Sequence, residues 1–158
     1  MMSLTRGLQS LQKQVDVQTN VEIPSAALTL TRSATLAITA AGTTITWQVE
    51  TRNQGFTWSG ADITMPTAGY YSISVIYAAS GSHTGIMRLF VNTVNVLTMP
   101  SDGLGSVRHA YNMTRYFATG DVIQVSVISN PNTTMQVTAE GATNESPFIH
   151  VVQLTGAI

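Results

Sequence analysis

Residues 69–78 read GYYSISVIYA, and their alternation decides the fold class. Tyr71, Ile73, Val75 and Tyr77 share one face of a strand, at a period of two. An antiparallel strand with one wet side carries polar residues on its other face. Here that other face holds Tyr70, Ser72, Ser74 and Ile76, so it calls for a cover of its own. Residues 148–154, FIHVVQL, pose the same problem. Phe148, His150, Val152 and Leu154 alternate with Ile149 and Val151, and both sets are largely apolar. By contrast, Ile123, Val125 and Val127 form one face backed by Gln124 and Ser126, as an outer strand does. In a single sandwich of 158 residues, a partner chain is the ready source of a second cover. The residues expected at that contact are Tyr70, Ile76, Ile149 and Val151.

Outward from these stretches the alternation continues. TLAITA, TTITWQVE, GFTWSG, ADITMPTAG, IMRLFVN, TVNVLTM, VRHAYNMTRYFAT, DVIQVSVIS and TMQVTAE all read as short strands. Turn signals separate them: Asn92-Thr93, Ser101-Asp102-Gly103, Gly120-Asp121, Asn130-Pro131-Asn132 and Gly141. About ten such strands indicate an all-β antiparallel sandwich or barrel. The first residues differ. Leu4, Leu8, Leu11 and Val15 recur at spacings of four, three and four, the apolar seam of a short amphipathic helix. Gly7 weakens that helix by about 1 kcal/mol relative to Ala. A helix this short is marginal alone. It either joins sister helices or docks on a surface, or it lies along its own domain. Residues 16–34 read as an extended arm, broken at Pro24, with a short strand at ALTLT. The expected division is residues 1–34 for helix and arm, and residues 35–158 for the β domain.

The order of these signals resembles the jelly-roll domain shared by the complement globular head and tumour necrosis factor. The resemblance rests on four ordered pieces. ITWQVETRNQGFTWSGADITMPTAGYYSISV matches a strand, an aromatic turn, a Pro-x-x-Gly strand end and a Tyr-rich strand. MRLFVNTVNVL matches a strand ending in Asn, a turn and a short strand. RYFATGDVIQVSV matches the strand that leads through Gly-Asp into an alternating one, and SPFIHVVQL matches the closing strand. Thr93 stands where the family usually has Gly, and His150 where it often has a small residue. The resemblance implies an antiparallel jelly-roll sandwich and a compact homotrimer. It places GYYSISVIYA in an inner sheet, between the core and a threefold contact.

Composition narrows the function classes. Net charge is −1 and 9% of residues are charged, against about 25% in ordinary soluble domains. With a mean hydropathy of +0.16, much of the surface is expected to be shared with partners. No basic face supports nucleic-acid binding, and no apolar run reaches the roughly 18 residues of a membrane span. There is no Cys, so disulfides and thiol chemistry are excluded. MMSLTRGLQSLQKQV lacks the apolar core of a secretory signal, so synthesis in the cytoplasm is expected.

No chemistry-bearing pattern stands out. Asp16, Glu22, Glu50, Asp62, Asp102, Asp121, Glu140 and Glu145 fall mostly in turns, without a paired-carboxylate arrangement. Asp121 reads as a cap of the Gly-Asp turn. His83, His109 and His150 have no metal-ligand spacing. On a threefold axis three copies of His150 would gather a metal or an anion, but a hydrogen-bonded, part-buried histidine is the commoner state. DGLG at residues 102–105 is a turn, without the strand and helix of a phosphate loop. Trp47, Phe56 and Trp58 fit a core or an interface better than a sugar platform. No catalytic residue, metal or cofactor is assigned, and a non-enzymatic role is expected.

Small cysteine-free β trimers of this type look like proteins mounted on bacteriophage particles. The expectation is a virion structural protein, exposed on the particle and held by its N-terminus to other virion proteins. Its role would be capsid decoration or a short head fibre. The alternative is a tail-fibre or minor tail protein whose loops bind a host receptor or glycan. A second alternative is a bacterial surface or secreted ligand domain of the same fold, although no collagen-like repeat precedes the β region.

Overall fold

The computed structural model describes residues 26–80, 84–100, 107–136 and 147–154. Among these residues are thirteen strands and no helix. The apolar seam Leu4, Leu8, Leu11 and Val15 lies outside them.

The strands form two antiparallel sheets. The first has at its centre β7 (Gly69–Ala79), the long Tyr-rich strand. On one side β7 pairs along its whole length with β10 (Val107–Phe117). On the other it pairs with β13 (Phe148–Gln153), followed by β1 (Ala27–Thr31) and the edge strand β4 (Val49–Gln54). The far end of β7 takes β12 (Thr133–Gln136), which carries β2 (Leu36–Ile38). The second sheet runs β5 (Thr57–Ser59), β6 (Asp62–Thr64), β11 (Val122–Asn130), β8 (Thr84–Val91), β9 (Val94–Pro100), with β3 (Thr43–Thr44) also on β11. This is an antiparallel jelly-roll sandwich. β1, grouped at sequence level with the arm of residues 1–34, lies inside the first sheet, and its Leu28 and Leu30 are fully buried.

The core lies between the inner faces of the two sheets. Tyr71, Ile73, Val75 and Tyr77 of β7 have no exposed surface. They meet Met87 and Leu89 of β8 and Ile123, Val125 and Val127 of β11 in one cluster. Each such aliphatic side chain contributes roughly 1.5–3 kcal/mol by leaving water. Phe56 and Phe117 meet the ring of Tyr71 edge-on, both at 6.0 Å between centroids. The Tyr71 hydroxyl donates to the Thr67 carbonyl at 2.8 Å, so the buried ring keeps its polar end satisfied.

Two turns and one buried cation fix the corners. Asp121 accepts from the Ala118 N–H at 2.8 Å and from the Asn92 side-chain amide at 2.7 Å, the expected cap of the Gly-Asp turn. Asn92 in turn accepts from the Val122 N–H at 2.9 Å, tying the β8–β9 hairpin to the start of β11. Arg32, just past β1, is buried. Its guanidinium donates to the backbone carbonyl and the hydroxyl of Thr46 and to the Ala34 carbonyl. Burial pulls its pKa below the usual guanidinium value, and neutral acceptors rather than a carboxylate satisfy it.

Candidate functional site

The outer face of the seven-stranded sheet is built in rows, because directly paired residues in neighbouring strands point the same way. At one end of the face stand Tyr70 on β7, Tyr116 opposite it on β10, and Leu154. The Leu154 N–H donates to the Tyr70 carbonyl at 2.8 Å. All three side chains are exposed, and the two tyrosine rings meet edge-on at 5.4 Å. At the other end runs a second, mainly apolar row: Ala110, Ile76, Phe148, Thr31 and Val49, one residue from each of five strands.

Between these ends lie two polar rows. Thr114 and Ser72 share one with Val152. Asn112, Ser74, His150, Thr29 and Arg52 form the other. Their dipoles are paired within the sheet. Ser74 donates to Asn112 Oδ1 at 2.6 Å, and Thr29 Oγ1 lies 2.7 Å from His150 Nδ1. Burial first, and the Arg52 charge second, hold the His150 imidazole below the ordinary histidine value, while a backbone hydrogen bond with Leu28 acts the other way.

Tyr70 and Ile76, expected on the outward face of their strand, are there: Tyr70 is exposed and Ile76 half-buried. Ile149 and Val151 are not. Both are fully buried in the core, paired with the inward Val75 and Ile73. The outward face of β13 is therefore Phe148, His150 and Val152, and these take the place of Ile149 and Val151 on the candidate contact. Tyr116 joins them without having been singled out in the sequence. The register of β10 on β7 puts it beside Tyr70, and no local pattern in VRHAYNMTRYF marks it.

The other sequence candidates disperse. Trp47 and Phe56 are buried in the core cluster. The Trp58 indole donates to Glu50 at 2.6 Å, so the three aromatics form no common platform. Asp62 accepts from Gln124, and Asp121 holds its turn. His109 is buried, its ring tilted against Tyr77 at 5.0 Å and parallel to Tyr111 at 6.3 Å, with the two tyrosines themselves 6.3 Å apart. Among the described residues no cluster of His, Cys, Asp or Glu fits a metal ion. A cleft of about 200 Å³ opens between β9 and β10, lined by Leu89, Val96, Leu97, Met113, Thr114 and Arg115. One cation among aliphatic walls provides no acid–base pair.

The sequence matches no protein-family profile and no curated protein. Solved structures match the fold. Murine APRIL aligns with a TM-score of 0.62 at 12% identity, over 82% of this chain and 98% of that one. Eiger TNF from S. frugiperda aligns at 0.59 and 12%, over 86% and 96%. The globular domain of zebrafish complement 1qA aligns at 0.58 and 14%, over 83% and 98%. The chain has the jelly-roll fold of the tumour necrosis factor and complement globular-head type.

Proposed function

We propose that the chain is a non-enzymatic homotrimeric structural protein of a bacteriophage virion. It is displayed on the particle surface as a capsid decoration protein or short head fibre. The observation that carries the assembly is the outer face of the seven-stranded sheet. Tyr70, Tyr116 and Leu154 at one end, and the half-buried Ile76 and Phe148 at the other, form apolar rows that face water in the single chain. A contact between copies buries both rows and stabilises the assembly by about 25 cal/mol per Å² of apolar area, less the cost of association. The fold supports a threefold arrangement, and the low charge supports a crowded, partner-covered surface.

The N-terminal seam of Leu4, Leu8, Leu11 and Val15 is the proposed mount. Each anchor is short, but three on one rigid head bind with an avidity on the order of 10²–10⁴-fold beyond one site. Leu8→Asp or Leu11→Asp is expected to lower occupancy on particles while the circular dichroism of the β domain stays unchanged. The test is quantitative mass spectrometry of purified particles, with heads and tails separated. Copies partitioning with heads are expected. Partitioning with tails replaces decoration by host attachment, and absence from particles overturns the virion reading.

A further inference from the structure

We propose that His150 makes the association of copies of this chain acid-sensitive, so that the assembly loosens as the imidazole gains a proton. This rests on the trimer reading above. His150 stands in the polar band of the outer face, with an apolar row beyond it in each direction along the strands. A contact that buries those rows also removes the band from water.

Among the described residues, the groups that face this ring give a proton no anionic partner. From β1 comes the Thr29 hydroxyl, and from β7 the hydroxyls of Ser72 and Ser74. Beyond β7, β10 presents Asn112 and Thr114, with Arg108 and Tyr116 further along the same face. From β4 comes the Arg52 guanidinium, itself a cation. β13 adds only Phe148 and Val152 on this side. The nearest carboxylate in register, Glu50 of β4, pairs with the inward Leu30 and accepts from Trp58 and Asn53. Threefold association also brings copies of these cations closer together.

The direction follows from the ring's environment. Burial and Arg52 already hold the ring below the ordinary histidine value in the folded chain. A base with a depressed pKa leaves stability untouched at high pH, where the ring is neutral in every state. The contribution is lost as pH falls from the ordinary imidazole range through the depressed value. Closing a second copy over the band increases the burial, so association carries the same pH dependence.

The experiment is sedimentation velocity of the full-length protein between about pH 8 and about pH 5, with circular dichroism on the same samples. The wild type is expected to be trimeric at the upper end. Its association constant is expected to fall at least about tenfold towards the lower end, with the β signal unchanged. His150→Gln, which keeps a hydrogen-bonding group towards Thr29 but gains no proton, is expected to hold the trimer throughout. His150→Asn serves if the Gln variant misfolds. Equal association at both ends, or the same acid loss in the folded variants as in the wild type, overturns the proposal. A monomer already at the upper end overturns the trimer reading itself, and the proposal with it.

Discussion

Thr93 has φ 69° and follows Asn92 at φ 49°, so both central residues of the β8–β9 turn are left-handed. Asn tolerates that region, but a β-branched residue is strained there. The hairpin needs this turn because its twist matches that of the strands. Thr93→Gly is therefore expected to stabilise the domain by about 1 kcal/mol, after the entropy cost of glycine is subtracted. Thermal unfolding checks it, and an unchanged or lower midpoint contradicts it. Arg32 makes the opposite case. Arg32→Ala removes a buried side chain together with its bonds to the Thr46 and Ala34 carbonyls and is expected to cost about 2–4 kcal/mol in denaturant unfolding.

At the scale of elements, β7 and β13 separate folding from the proposed assembly. Val151 faces the core and Ile76 the outside, on strands that pair directly. Val151→Asp is expected to unfold the domain, since it buries an unpaired charge. Ile76→Asp is expected to leave the fold intact and abolish self-association, because a charge on the half-buried outward position still reaches water in the single chain and is fully desolvated only in the proposed contact. Circular dichroism and sedimentation separate the two outcomes. The sequence made the alternation of β7 legible, and with it the outward Tyr70 and Ile76. It left β13 ambiguous because both of its faces are apolar. Periodicity tells which residues share a face, not which face meets the other sheet. One local cue was present: the set containing His150 carries the polar member, and it is the outer one. Tyr116 was hidden because β10 mixes polar and apolar residues on both faces, so only register reveals its neighbour. The strand at ALTLT was legible, but its place between β13 and β4 comes from long-range pairing that no local pattern encodes.

For the whole molecule, one sandwich has sealed its inner faces and left one outer face with two apolar rows around a polar band. Exposed apolar surface bordered by polar residues marks an interaction site. Closed symmetry satisfies every copy of such a face at once. The most direct test is the solution mass of the full-length protein by light scattering, at neutral pH and micromolar concentration. The expected mass is three times the chain mass of 16.9 kDa, falling to one chain mass in folded Ile76→Asp. A wild-type monomer, or an Ile76→Asp variant that remains trimeric, contradicts it.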